Sequence, residues 1–286
     1  MTSYTNSNQL LDKIIIKNLE VFAYHGVLPE EKEQGQTFIV SMTLFLDTFL
    51  AGSNDDLSET INYAELSEST HEFISDTQFD LIETIAEKLA EHLLSKYGSI
   101  DKITIEIKKP DAPIDLPFEY VSVEITRQWH NTYLSVGSNM GDKEANIAFA
   151  VEQMEHDNRF RSIEISKTIS TKPYGPVTQE DFCNACISVQ TILKPHHLLT
   201  ELKKIEEKAG RTPTVRWGPR TLDLDILFYD NWIINERDLT IPHSDMHNRL
   251  FVLDPLMEIA SSNLLHPLLN KTIKELRDAA NDAREE

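Results

Sequence analysis

Residues Arg216–Phe228, RWGPRTLDLDILF, set two carboxylates, two guanidinium groups and an indole within ten positions. Leu222, Leu224 and Ile226 alternate with Asp223 and Asp225, so a strand of period 2 turns three aliphatic side chains to a core and both carboxylates to the opposite face. Aspartate is depleted in strands, and like charges about 6.5–7 Å apart at i and i+2 repel. A cation between them relieves the conflict. Mg2+ suits the role, because it takes one or two carboxylates and completes its shell with water and substrate phosphates. Arg216 and Arg220 add planar donors that grip phosphate oxygens two at a time. The combination implies phosphoryl or pyrophosphoryl transfer; without the arginines and Trp217 the Asp pair would read as the wet face of a half-buried strand.

At 286 residues the chain has room for two domains of ordinary size. Its 47 acidic and 27 basic residues give a net charge of -20, which argues against a nucleic-acid or anionic-membrane binder. An anionic substrate therefore needs a local exception, and Lys203, Lys204, Lys208, Arg211, Arg216 and Arg220 crowd into one segment. No stretch is apolar for long enough to span a bilayer, and MTSYTNSNQ lacks the features of a signal peptide, so a cytoplasmic location is expected. Residues 1–9 read as a mobile tail. The only cysteines, Cys183 and Cys186, form a CxxC inside the strand-like run DFCNACISVQTIL. Positions three apart on a strand point to opposite faces, so these thiols read as packing residues and not as a redox or metal pair.

Residues 10–128 form the first expected domain. LLDKIIIKNLEVFAYHG and TFIVSMTLFLDTFL read as strands joined by a charged loop, VLPEEKEQGQ; Phe38, Val40, Met42, Leu44 and Leu46 share one face. INYAELSESTHEFIS and FDLIETIAEKLAEHLLSKYG read as helices, the second with the stripe Leu81, Ile82, Ile85, Ala86, Leu89 and Leu93. KITIEIKKP and PFEYVSVEITRQ complete the order ββααββ, an α+β unit with an antiparallel sheet. About five residues separate this unit from the next, with no Gly/Ser- or Pro-rich tether. Residues 132–286 repeat strand-helix-strand, including SIEISKTISTK as one strand, and imply a ferredoxin-like α+β sandwich. GSNMGDKEAN lacks the spacing of a phosphate loop and reads as a turn.

AYHGVLPEEKEQGQ, INYAEL, DLIETIAEKLA and IKKPDAPI, in that order over about 120 residues, resemble dihydroneopterin aldolase. The resemblance implies the tunnelling fold, a homo-oligomer assembled through this domain, sites between neighbouring subunits, and retro-aldol cleavage of 7,8-dihydroneopterin to glycolaldehyde and 6-hydroxymethyl-7,8-dihydropterin. The dihydropterin's own ring imine can accept the carbanion electrons, so neither a Schiff base nor a metal is required, and no cofactor is expected here. The resemblance makes Glu83 the anchor for the guanidine-like edge of the pterin, Lys109 an acid/base group, and Tyr63 and Glu31 proton-transfer or substrate-ordering groups. Read from the residues alone, Lys109 shares a face with Ile103, Ile105 and Ile107 at a strand end where desolvation would lower its pKa. Asp80 and Glu83 also fit a capping box, and Glu83, Glu87 and Glu91 a solvated helical stripe.

GSNMGD, TKPYGP, DFCNA, RWGPRTLDLDI and PHSDMHNRLFVLDPL run in the order of 6-hydroxymethyl-7,8-dihydropterin pyrophosphokinase, which the second half resembles over nearly all its length. The resemblance implies pyrophosphoryl transfer from ATP to the pterin hydroxymethyl, releasing AMP. It assigns two Mg2+ ions to Asp223 and Asp225, and Arg216, Arg220, His243, Arg249 and Glu206 to the ATP and phosphate side. Arg220 joins Arg211 as a catalytic guanidinium; the 211–216 loop is shortened, which leaves open whether Arg211 or Arg216 acts in the transition state. Phe182 and Phe251 would sandwich the pterin, Asn184 would bond its edge, and Trp217 would help close the site. Because the first domain's product is the second's acceptor, the two halves imply a bifunctional folate-pathway enzyme with dihydropterins and ATP as its ligands. The rival is a first domain that only binds pterin or oligomerises, or that acts mainly as an epimerase.

Overall fold

The computed structural model describes residues 11–173, 179–211 and 218–285. The expected tail 1–9 lies outside them, as do Arg216 and Trp217. The chain divides into two compact units between Trp129 and His130.

The first unit runs β1 (Asp12–Ala23), α1 (Pro29–Gln34), β2 (Gln36–Leu46), α2 (Phe49–Asn54), α3 (Tyr63–Asp76), α4 (Ile82–Lys96), β3 (Lys102–Lys109) and β4 (Val121–Gln128). Its four strands lie in sequence order, every neighbour antiparallel. The period-2 pattern sets the core: Phe38, Val40, Met42, Leu44 and Leu46 from β2 and Ile103, Ile105 and Ile107 from β3 are all at most 1% exposed. Burying each such side chain contributes about 1.5–3 kcal/mol. Leu66 and Ile74 of α3 and Ile85, Ala86, Leu89 and Leu93 of α4 are fully buried too. The Asn62 side chain accepts from the Ala64 N–H at 3.1 Å and starts α3.

Four local expectations are corrected. The charged stretch after β1 folds as α1, with Pro29 at its first position, where a missing N–H costs nothing. The second strand stops at Leu46, and residues 49–54 turn into α2. Leu81 is 50% exposed because it is the N-cap of α4, so the buried stripe begins at Ile85. Asp80 makes no capping box with Glu83; its carboxylate pairs with Lys32 at 2.7 Å.

The second unit runs β5 (His130–Ser138), α5 (Lys143–Glu155), β6 (Phe160–Ile165), β7 (Ile169–Thr171), β8 (Phe182–Thr191), α6 (Pro195–Lys208), β9 (Asp223–Tyr229), β10 (Ile234–Asn235), β11 (Thr240–Ile241), α7 (Leu250–Ile259), β12 (Leu265–His266), β13 (Lys271–Thr272) and α8 (Ile273–Glu285). Its main sheet has the order β6-β8-β5-β9, antiparallel throughout, with β7 beside the start of β8. This is the ferredoxin-like arrangement. The strand expected over 162–172 is broken into β6 and β7, and Ser166 between them accepts the Cys186 N–H on its hydroxyl at 2.9 Å.

Both faces of that sheet are covered. Leu134, Val136, Ala185, Ile187, Leu224 and Ile226 pack with Ile147, Met154, Leu198 and Leu202 of α5 and α6. Cys186, Leu227 and Phe228 pack with Val252, Leu253, Leu256 and Ile273 on the other side. Cys183 belongs to the first core and Cys186 to the second, so the CxxC thiols, both free, are separated by the sheet.

Candidate functional site

In the first unit a cavity of about 240 Å³ is lined by His25, Gly26, Val27, Asp80, Leu81, Ile82, Glu83, Lys109, Ala112 and Val121. Lys109, at the end of β3 and 12% exposed, is ion-paired with Glu31, itself 10% exposed. Its strand end is desolvated as the alternation implies, but the ammonium has a carboxylate partner. Glu31 also accepts from the Leu28 N–H at 3.0 Å and from Gln36 Nε2 at 3.1 Å. Burial pushes the Glu31 carboxyl upward, but Lys109 and these two donors outweigh it and hold the group below the usual carboxylate range. Gly26 makes the packing possible: its φ is +150°, and a Cβ there would overlap the Glu31 carboxylate.

Glu83 projects from the first turn of α4 into the same cavity, whereas Tyr63, 64% exposed at the start of α3, does not line it. Two contributors escaped the sequence reading. His25 continues the inward parity of Val21 and Ala23, and Gln36 that of Phe38, a signal that pointed to both. Gln36 is 8% exposed; its Nε2 also donates to the His25 carbonyl at 3.2 Å.

The second unit holds a cavity of about 240 Å³ on the sheet face beside α7, lined among others by Gly137, Phe182, Asn184, Arg220, Asp223, Asp225, His243, Arg249 and Phe251. Phe182 and Asn184 are i and i+2 on β8 and so share the face. Gly137 pairs with Asn184 across β5 and β8, and a Cβ at Gly137 would lie 2.8 Å from Asn184 Oδ1. The Asn184 Nδ2 donates to Thr171 Oγ1 at 2.7 Å, which fixes the amide's orientation.

Asp223 and Asp225 share the face opposite Leu224. Arg220 Nη1 lies 2.6 Å from both Asp223 oxygens, and Arg211 Nη1 3.0 Å from Oδ1. Asp225 differs. Among the described residues it has no ion-pair partner, and burial, followed by the charge of Asp223, pushes its carboxyl above the ordinary range against the pull of His243, Arg220 and Arg249. Burial likewise pulls the His243 imidazole below its usual value. A half-buried carboxylate with no ion-pair partner, on the same face as a second carboxylate, is a hard-oxygen donor set that fits a divalent ion. Arg249 is held by Asp245, Nε to Oδ2 at 2.9 Å, with its guanidinium 5.7 Å from the Phe251 ring centroid.

Glu206, expected on the ATP and phosphate side, does not line the cavity, and neither does Arg211, which pairs with it. Glu206 is 6% exposed on the buried stripe of α6 and accepts the Leu224 N–H at 2.8 Å. β9 is an edge strand, so its outward N–H needs such a partner. Burial raises the Glu206 carboxyl to about 7, with Leu224 and Arg211 opposing and the two aspartates adding. Its i+4 spacing from Leu202 was the signal for an inward acid. Lys172 and Gln179 also line the cavity and were not foreseen, because they lie in irregular chain without periodicity. Asn139, 2% exposed, accepts the Arg220 N–H at 2.7 Å and donates to Gln179 Oε1 at 2.9 Å, so it ties Arg220 to the segment before β8.

Fold and lining together define two classes of site. One is a small antiparallel-sheet unit whose cavity is lined by an ammonium, Lys109, backed by its partner Glu31, and by a helix-borne carboxylate, Glu83. The other is an α+β sandwich whose cavity joins guanidinium groups, paired aspartates and two aromatic walls, a lining suited to a ligand that is both anionic and planar. The chain belongs to the dihydroneopterin aldolase family, whose model it matches over residues 14–126, and to the 7,8-dihydro-6-hydroxymethylpterin-pyrophosphokinase family, matched over residues 133–261. It is 42% identical over 118 residues to a dihydroneopterin aldolase of Methylorubrum extorquens, covering 41% of this chain and 91% of that one. It is 41% identical over 148 residues to the 2-amino-4-hydroxy-6-hydroxymethyldihydropteridine pyrophosphokinase of Haemophilus influenzae, covering 51% of this chain and 92% of the relative. A folic acid synthesis protein of Dictyostelium discoideum is 34% identical over 294 residues, 93% of this chain; the chain spans 44% of that relative's length. Among the described residues no helix is long and apolar enough to cross a membrane.

Proposed function

We propose that the chain is a bifunctional folate-pathway enzyme: the first unit cleaves 7,8-dihydroneopterin to glycolaldehyde and 6-hydroxymethyl-7,8-dihydropterin, and the second moves a pyrophosphoryl group from ATP to that hydroxymethyl, releasing AMP. The observation that carries it is one chain holding both families, related over 93% of its length to a folic acid synthesis protein. The product of the first reaction is the acceptor of the second.

For the aldol cleavage, Glu83 accepts paired N–H bonds from the guanidine-like edge of the pterin. A proton leaves the side-chain hydroxyl, the carbon–carbon bond breaks, and its electrons enter the ring imine; a proton then returns to carbon. The Glu31–Lys109 pair supports the role of proton carrier, because a desolvated carboxylate and ammonium in contact can pass a proton with little rearrangement. Tyr63 lies outside the cavity of its own chain, so its role requires a second copy, in keeping with a homo-oligomer whose aldolase sites are shared.

For the pyrophosphoryl transfer, Phe182 and Phe251 sandwich the pterin and Asn184 bonds its edge, which sets the hydroxymethyl oxygen toward the β-phosphorus. Asp223 and Asp225 are the ligands for Mg2+, which when bound neutralises charge on the triphosphate. Arg211 and Arg220, held by Asp223 in the free protein, are the guanidiniums that phosphate oxygens take over, with His243 and Arg249 beside them. Glu206 braces Arg211 and β9 from behind. Soluble pterins and ATP fit a cytoplasmic location.

The test is to supply 7,8-dihydroneopterin alone and then with ATP and Mg2+. Glycolaldehyde is expected in the first case and AMP in proportion in the second. AMP formation from supplied 6-hydroxymethyl-7,8-dihydropterin without glycolaldehyde release would leave the first unit a scaffold.

A further inference from the structure

The aldolase-type cavity has two walls from distant parts of the sequence. One is the turn after β1, with α1 behind it, together with the end of β3, which bring Lys109 and its partner Glu31. The other is residues 79–83, which end in Glu83. Relative placement of an anchor and a proton carrier decides whether a bound substrate is aligned for reaction, so the contacts that join the walls matter.

His25 is the main joint. It is 1% exposed and stacks on Phe79, with ring centroids 5.7 Å apart and planes at 6°. Its Nδ1 accepts the Phe79 backbone N–H at 3.0 Å, and its Nε2 faces the Ile74 carbonyl at 2.9 Å. The next residue closes the ring of contacts, since the Gly26 N–H donates to the Phe79 carbonyl at 3.0 Å. The partners dictate the tautomer. An amide N–H only donates and a carbonyl only accepts, so Nδ1 must be bare and Nε2 must carry the hydrogen. Both nitrogens are committed to backbone, and neither is available to a substrate.

Resting on the aldolase reading above, we propose that His25 is a positioning residue of the retro-aldol reaction: a neutral imidazole clamp that fixes the Glu83 wall against the Glu31–Lys109 wall and carries no proton in turnover. Although the ring lines the cavity, its chemistry is spent on the chain. Burial, with the nearby Lys109 charge adding to it, holds the imidazole below its ordinary value despite the Ile74 carbonyl, consistent with that neutral form.

The experiment uses the full chain and three variants, with oxidised neopterin as the binding probe and 7,8-dihydroneopterin as the substrate. His25→Leu removes both ring bonds and is expected to weaken neopterin binding and raise KM about tenfold, equivalent to about 1.4 kcal/mol, while the pH profile of kcat keeps its shape. His25→Asn can still accept from the Phe79 N–H and should recover most of the affinity; His25→Gln, reaching only the Ile74 carbonyl, should recover less. Should His25→Leu not fold, the order Asn above Gln decides, and the reverse order overturns the proposal. It is equally overturned by unchanged affinity, or by a kcat profile that loses a limb at unchanged affinity, the mark of a proton carrier. Absence of glycolaldehyde release by the unaltered protein would fail the aldolase reading itself, whereas an active parent with indifferent variants fails only the role of His25.

Discussion

In the first unit the carboxylate of Glu31 is met by Lys109, the Leu28 amide and Gln36, whereas in the second Asp225 is half-buried near Asp223 with no ion-pair partner among the described residues. The Glu31 carboxylate is matched from within the chain. Asp225 has no such partner, and a partly desolvated carboxylate beside a second one is costly unless a cation joins it. The difference follows the chemistry proposed for each: the dihydropterin ring is its own electron sink, whereas a triphosphate brings charge that side chains alone would have to match.

Substitutions at the two centres should separate the activities most strongly. Asp223→Ala is expected to lower AMP formation about a thousandfold or more, since charge stabilisation by a bound ion is worth several kcal/mol, with glycolaldehyde release unchanged. Lys109→Ala is expected to do the reverse, lowering cleavage by about 10²–10⁴-fold, the usual weight of a positioned proton carrier. Either substitution removing both activities in a folded protein would erase the distinction between the sites.

A smaller contrast lies in pH. His25 is held below its ordinary value of 6.5, so the stability it contributes is present above that value and is lost as pH falls through the folded one; Glu31, lowered from 4.5, acts in the same direction but only below 4.5. Glu206, raised from 4.5 to about 7, does the opposite, contributing stability that is lost as pH rises across that interval. Hydrogen exchange of β3 and β9, corrected for intrinsic rates, should show β3 less protected at pH 5.5 than at 7.5 and β9 relatively more. A common direction in both strands would count against the contrast.

Alternation made much of this legible. Period 2 in residues 38–46, 103–107 and 222–226 fixed which side chains face each core, and the same rule separated Cys183 from Cys186. Phe182, Asn184, Asp223 and Asp225 followed from strand parity once the family motifs marked the segment. The contact of Glu206 with an edge-strand amide was not legible, because it depends on how α6 packs against β9. Lys172 and Gln179 reach their cavity through irregular chain, where spacing predicts no direction. The bracing by Gln36 and the clamp at His25 depend on contacts 5 to 54 residues apart in sequence, which parity suggests but cannot pair.

The most direct test of the contrast is metal removal with both reactions followed in one vessel. On adding a chelator to protein supplied with 7,8-dihydroneopterin, ATP and Mg2+, AMP formation should stop while glycolaldehyde release continues at its former rate, and AMP should resume when Mg2+ is restored. Chelation that stops both reactions, or leaves AMP formation untouched, would contradict a first site that works without a metal and a cation-dependent second.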